Sequence, residues 1–377
     1  MRPTPFTLAQ AVATVTLLAR LARGRRRRAP LEHGRSPAPG ATISVVIPAR
    51  DEAKRLAPCL DGLREDPDIG EVLVVDDRSS DGTADVARAG GARVIAGRPL
   101  PAGRKGKAHA LQQGLEQATG DIVVFLDADT RPRPGLVREL AQRLDDVDLV
   151  TAGPRFHCAG YGERLLHPSM GATIPYRLGP GDALNWQPSP SRAFANGQCI
   201  AIRRQTLIAA GGWDRVRANM TEDVALARAL RGDGLTIAFV DACDLLEVKM
   251  YDSARETWGG WSRSLMAPDA TTPIRQAEDL ALLWLTLALP LPRLLTRRAT
   301  KLDALLLVVR LAMHAALARG YRPRGAPFWL APLADVPVMA RLTWSAIHPE
   351  RSWRGRTYRS TPWRRATTGD TATESST

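Results

Sequence analysis

Ile122-Val-Val-Phe-Leu-Asp127-Ala-Asp129-Thr130 is an unbroken apolar run that ends on two carboxylates. A run with no polar alternation suits a strand buried on both faces, as in a parallel sheet covered by helices. Two upstream segments repeat the pattern. Ile43-Ser-Val-Val-Ile47 leads into Pro48-Ala-Arg50-Asp51-Glu52, and Val72-Leu-Val-Val75 leads into Asp76-Asp77-Arg78-Ser79-Ser80-Asp81-Gly82-Thr83. Helices are expected after Glu52, around Thr83–Arg88, over Lys107–Ala118 and from Gly135 to about Leu144, with a short strand over Arg93–Ala96. Strand and helix alternate, so the class is α/β with a mostly parallel sheet. Between His157 and Gln198 the glycines and prolines predict loops with a short helix. Strand and helix signals return from Cys199 to Tyr251.

Ligands bind at the carboxyl edge of such a sheet, where the acidic clusters fall. Asp127 and Asp129, two apart, can converge on one hard divalent cation, with phosphate oxygens and waters completing its shell. The competing reading is a turn that uses Asp as a hydrogen-bond acceptor. A further pair, Glu222-Asp223, opens a later helix, where acids also complement the helix dipole. Asp127-Ala-Asp129-Thr130 also fits the Asp-x-Asp-x-Thr pattern of phosphatases with an aspartyl nucleophile. In those enzymes the pattern sits on the first core strand, whereas here it ends the fourth.

The flanks are different in character. Residues 6–22 are apolar apart from Arg20 and would span ~25 Å as a helix. Arginines 23 and 25–28 follow this stretch rather than precede it. That order predicts an uncleaved anchor with its basic end in the cytoplasm, the alternative being an amphipathic surface helix. Leu280–Leu295, Leu302–Leu317 and Phe328–Ile347 are apolar stretches of marginal length with basic residues in every gap. Three full spans would break the positive-inside rule, so at least one is expected to dip into or lie along the bilayer. The formal net charge of +13 comes partly from these flanks and from Arg351, Arg354, Arg356, Arg359, Arg364 and Arg365. Their neighbours are apolar, which favours anionic lipid over nucleic acid. Four cysteines without a Cys-x-x-Cys pair read as reduced thiols. The expected organisation is an anchor with its basic run (1–28), a linker (29–42), a catalytic domain (43–268), membrane-associated helices (269–350), and a basic then disordered tail (351–377).

The ordered motifs resemble family 2 glycosyltransferases of the GT-A fold, a Rossmann-like nucleotide-sugar-binding architecture, over residues 43–265. They are the Pro-Ala-Arg-Asp-Glu turn, the Asp76–Thr83 block, Gly106-Lys107-Ala-His-Ala-Leu111, Asp127-Ala-Asp129 and Thr221-Glu222-Asp223. The resemblance implies that Pro48, Arg50 and Glu52 hold the nucleoside and that Asp77 accepts from its base, favouring a UDP-sugar. It implies that Lys107 lies near the nucleotide, and that Asp129 with Asp127 holds Mg²⁺ or Mn²⁺ on the diphosphate. Asp223 is the implied general base and Glu222 its support. Trp213, Trp261 and Arg263 are candidate acceptor contacts. The Gln-x-x-Arg-Trp motif of processive members is absent; Trp258-Gly-Gly-Trp261-Ser-Arg263 stands near its place. This argues for transfer of one sugar. With the apolar tail and Arg354-Gly-Arg356-Thr-Tyr358, it resembles the branch acting on lipids such as carotenoids or hopanoid-type terpenoids. The implied setting is the cytoplasmic face of the cell membrane, with no nucleic-acid partner.

Overall fold

In a computed structural model, residues 4–34, 40–348, 352–353 and 356–357 are described; for 262, 263, 352–353 and 356–357 this covers the backbone alone. The chain starts with helix α1 (Pro5–Ala22), followed by a 3-10 turn over Arg23–Arg25. The alternation follows as β1 (Ile43–Ala49), α2 (Ala53–Arg64), β2 (Glu71–Asp76), α3 (Thr83–Ala89), β3 (Arg93–Ala96), α4 (Gly106–Gln117) and β4 (Ile122–Leu126). After it come β5 (Thr130–Pro132), α5 (Leu136–Arg143), β6 (Leu149–Gly153), β7 (Arg155–His157), α6 (Tyr161–Leu178), β8 (Cys199–Arg203), α7 (Arg204–Ala209), α8 (Glu222–Gly232), β9 (Ile237–Asp241), β10 (Leu246–Val248) and α9 (Ala254–Ser264).

The main sheet has seven strands in the order β3-β2-β1-β4-β8-β6-β9. Only β8 runs against its neighbours. The fold class expected from the apolar runs is therefore present. Alternate β1 residues explain why those runs lack polar positions. Val45 and Ile47 pack with Leu56, Leu60, Leu136 and Leu140 on one face. Val46 packs with Leu111, Leu115, Leu226 and Leu230 on the other. Because β8 is antiparallel to β4, Cys199 pairs with Leu126. The loop before β8 therefore lies beside the acidic turn after β4. A second sheet, β7-β10-β5 with a two-residue strand β11 (Tyr321–Arg322), flanks the same edge.

One expectation needs correction. The region read as loops with a short helix contains α6, 18 residues long, with Pro168 and Pro175 inside it. Tertiary burial overrides the low local propensity: Met170 and Tyr176 are fully buried in a third core. That core is the seam between α6, α1 and the C-terminal helices α10 (Pro273–Leu283), α12 (Lys301–Leu317) and α14 (Asp335–Ile347), while α11 (Pro290–Leu295) packs on α12 and α13 (Gly325–Trp329) on α6. A π turn, Trp284–Ala288, joins α10 to α11.

This layer has an unusual polarity. Its helices turn polar side chains inward. Gln10 Nε2 donates to Asp303 Oδ1 at 2.7 Å, and Arg293 also pairs with Asp303. Arg310 donates twice to Asp335, which also accepts from Ser169 Oγ. Outward stand Leu8, Val12, Val15 and Leu18 of α1, Leu305, Val308 and Leu311 of α12, and Trp344 and Ile347 of α14. Pro5–Arg25 is the one helix among the described residues long and apolar enough to cross a membrane. The apolar stretch from Leu280 is broken by the π turn and by Pro290. Arg351, Arg354, Tyr358, Arg359, Arg364 and Arg365 lie outside the described residues.

Candidate active site

β4 stops at Leu126, so Asp127-Ala-Asp129 is a turn rather than a strand end. Thr130 closes it, donating N–H and Oγ1–H to Asp127 O at 3.1 and 2.7 Å. The two carboxylates have different partners. Asp127 meets Lys107, whose Nζ lies 2.7 and 3.0 Å from its two oxygens. Asp129 Oδ1 is buried and has no hydrogen-bond partner among the described residues. Burial, then the charges of Asp127 and Glu52, push the Asp129 carboxyl up to about 7. A buried oxygen of this kind needs a cation or a proton.

Lys107 reaches a second acid. Its Nζ is 3.1 Å from Glu222 Oε1. Burial disfavours the ammonium, but Asp127, Glu222 and Asp223 outweigh that and hold its pKa well above the ordinary value. Glu222 and Asp223 open α8, as their spacing suggested. Asp223 is fixed by two main-chain donors: Gly197 N to Oδ2 at 2.7 Å and Val224 N to Oδ1 at 2.8 Å. A Cβ on Gly197 would lie 2.9 Å from Asp223 Oδ2, so glycine is what lets the two elements meet. Burial raises the pKa of both acids, Glu222 to about 7. Asp269, which the sequence did not single out, steadies the start of α8 by accepting from Thr221 Oγ1 at 2.6 Å and from Met220 N.

These groups line one cavity of about 1210 Å³, together with Pro48, Arg50, Glu52 and Trp261. Arg50 Nη1 donates to Asp77 O at 2.6 Å and ties the turns after β1 and β2. Asp77 is buried behind this turn and is not among the lining residues. Trp213 is corrected to a packing residue: it is 1% exposed and meets Phe125 edge-to-face at 5.1 Å. Trp261 does face the cavity and stacks on His167 at 3.8 Å. The side chain of Arg263 lies outside the described residues.

Beyond the acids the cavity wall turns apolar, through Phe156, Ile174, Leu178, Tyr251 and Met313. No local sequence signal marks this half, because the prolines of α6 disguise it as a loop. For a metal, the described residues hold no group of three or more ligating side chains. Two carboxylates, one of them with an unpartnered buried oxygen, still suit Mg²⁺ or Mn²⁺ shared with a diphosphate, since Mg²⁺ keeps waters and phosphate oxygens in its shell.

Residues 44–209 match the profile of Glycosyl transferase family 2. Over those residues the chain is similar to family 2 glycosyltransferases. Aspartyl phosphatase chemistry is thereby set aside for Asp127. The chain is similar to the 4,4'-diaponeurosporenoate glycosyltransferase of Staphylococcus haemolyticus, 26% identical over 65% of this chain and 66% of the relative. It is also similar to YaiP of Escherichia coli, a glycosyltransferase 31% identical over 59% of this chain and 55% of that protein. The chain thus spans a little over half to just under two thirds of these relatives' length. Among solved structures it resembles glucosyl-3-phosphoglycerate synthase from Mycobacterium tuberculosis in complex with Mn²⁺ and UDP-glucose. That likeness has 27% identity over 60% of this chain and 78% of the other, with a TM-score of 0.41.

Proposed function

We propose that this protein is an inverting glycosyltransferase that moves one sugar from a nucleotide-sugar, a UDP-sugar, to a hydroxyl of a membrane lipid. The observation that carries this reading is that one cavity brings Glu52, Asp127, Asp129, Glu222, Asp223 and Lys107 together with apolar and aromatic wall residues such as Phe156, Ile174, Leu178, Tyr251 and Met313. Pro48, Arg50 and Glu52 border the part that receives the nucleoside. Asp129, with Asp127, would hold Mg²⁺ or Mn²⁺ on the diphosphate. When bound, that ion supplies neutralisation of charge on the leaving group, worth several kcal/mol in such sites. Lys107 stands between the two acid pairs and balances their charge.

Asp223 takes the proton of the acceptor hydroxyl. That oxygen forms a bond to the anomeric carbon as the bond from this carbon to the diphosphate breaks, and the configuration inverts. A positioned base contributes ~10²–10⁴-fold. The Gly197 and Val224 N–H groups aim the carboxylate, and each oxygen keeps a further lone pair for the incoming proton. Glu222, paired with Lys107, sets the field around it.

The lipid acceptor is supported by the apolar cavity wall and by the helices that bury polar groups and expose Leu, Val and Trp. Ionisable residues that face a bundle interior while apolar ones face outward are the pattern expected in lipid. The relative named for diaponeurosporenoate, a carotenoid acid, favours a terpenoid acceptor. Basic residues at both ends of α12 suit a helix lying in the interface rather than spanning it. The anionic cytoplasmic face is the side that attracts the arginines following α1.

The test is turnover of a nucleotide-sugar panel with a membrane lipid extract, with Mn²⁺ and then with EDTA. One donor should be consumed only with metal present, and more rapidly with lipid than without. Consumption that ignores EDTA would remove the metal assignment. No consumption of any donor would remove the enzymatic reading.

A further inference from the structure

The cavity does not close behind the catalytic acids; its wall continues to the C-terminal ends of α1 and α12. There it is lined by Leu21 of α1, Ile174 and Leu178 of α6, and Met313, Ala316 and Leu317 of α12. Burial falls along this path. Gly171 and Trp261 are buried, Leu21, Ile174, Met313 and Leu317 are half-buried, and Ala316 is exposed. The cavity therefore has an apolar mouth between α1 and α12, over α6.

The two helices that flank the mouth lie side by side and in the same direction. Near their starts Gln10 of α1 bonds Asp303 of α12. Near their ends both contribute to the mouth. Their outer faces carry the exposed Val12 and Val308, 68% and 64% accessible, in line with Leu8, Val15, Leu305 and Leu311. Exposed cations stand at the end where the mouth opens, Arg23, Arg25 and Arg26 after α1 and Arg319, Arg322 and Arg324 after α12, while Arg297, Arg298 and Lys301 mark the other end of α12, as for a helix lying along the interface. A helix face buried in acyl chains, with arginines at the level of anionic headgroups, sets the mouth at the boundary between the two.

We propose that the acceptor enters sideways from the bilayer through a portal framed by Leu21, Ile174, Leu178, Met313 and Leu317. This rests on the lipid-acceptor reading and adds the route. The occupant is the hydrocarbon body of an amphiphile whose hydroxyl end reaches Asp223 while the rest stays in the membrane. Helix α1 is then a wall of the acceptor site, and not only a means of attachment.

The experiment uses the full chain in phosphatidylglycerol-containing vesicles. The probe is hexadecanol carrying a diazirine in the half of its chain nearer the hydroxyl, and photolabelled peptides are mapped by mass spectrometry. Label is expected on α6 and at the end of α12, and it should fall roughly tenfold or more when Leu21→Trp and Met313→Trp narrow the portal. UDP affinity by calorimetry serves as the control that the donor half is folded. The pair Leu21→Ala and Met313→Ala, which widens the portal, should keep or raise labelling, and decides the matter should the tryptophan pair fail to fold. Label confined to the outer faces at Val12 and Val308, or labelling and lipid glycosylation both unchanged by the tryptophan pair, would overturn the portal. Efficient labelling of the wall with no glycosylation of any lipid extract would leave the route standing and overturn the acceptor assignment on which it rests.

Discussion

An ammonium within 3.1 Å of carboxylates from two different elements, as Lys107 is of Asp127 and Glu222, offsets the repulsion of a crowded acidic site before any ligand arrives. Asp129 receives no such partner, and that asymmetry makes it the principal site for a cation. Asp129→Ala is expected to abolish the Mn²⁺-dependent gain in UDP affinity, read by calorimetry. A variant that binds UDP with the same metal dependence as the wild type would take Asp129 out of the metal site. Gly197→Ala should push Asp223 off its aim and lower kcat more than melting temperature, because the added methyl meets the carboxylate and not the core. Trp213→Ala, in contrast, should cost ~3–5 kcal/mol of stability through the cavity it leaves beside Phe125, measured by denaturant unfolding. The acids were legible because several chemistry-bearing motifs follow in order along the chain. Trp213 was not: an indole after two glycines serves stacking on a sugar or packing equally well, and only its neighbours decide.

At the scale of elements, the strands and helices of the nucleotide half end within a residue or two of where the apolar runs place them. Their periodicity is local information. Helix α6 is the counterexample. Proline removes a hydrogen bond and clashes with the preceding turn, so a segment with Pro168 and Pro175 reads as loop. It is helical because its burial against α1, α9 and the C-terminal helices is long-range, which no window of sequence contains. That burial leaves a measurable mark at His167, whose Nε2 is buried without a partner among the described residues. Burial pushes its pKa down to about 3. The folded imidazole stays neutral while the unfolded one takes up a proton below ~6.5. Its contribution to stability is therefore present above that pH and lost as pH falls toward 3, by up to ~1.4 kcal/mol per pH unit. His167→Phe should flatten the fall in melting temperature between pH 7 and 5. An unchanged pH profile would assign the acid sensitivity to other groups.

For the whole molecule, the outward-facing side of α1, α12 and α14 is apolar while their inward side carries Gln10, Asp303, Arg310 and Asp335. Composition alone marked these segments as apolar and interrupted, but not which face was which. The structure joins the first helix and the last ones in one layer, so either alone should leave the protein partly attached. Deleting residues 1–28 or 278–377 should weaken membrane association. The full chain should stay with membranes in high salt, which screens the arginines but not apolar burial. A full chain recovered wholly in the soluble fraction at low salt would contradict the membrane assignment. The central claim is that Asp223 drives an inverting transfer onto lipid, and the product itself tests it most directly. Wild-type protein and Asp223→Asn are incubated with the consumed α-linked UDP-sugar, Mn²⁺ and lipid extract, and the glycolipid formed is quantified and its anomeric configuration read by NMR. The account predicts a β-linked glycolipid from the wild type and a yield lower by roughly 10²-fold or more from Asp223→Asn, with UDP affinity retained. An α-linked product, or near-normal yield from the variant, would contradict it.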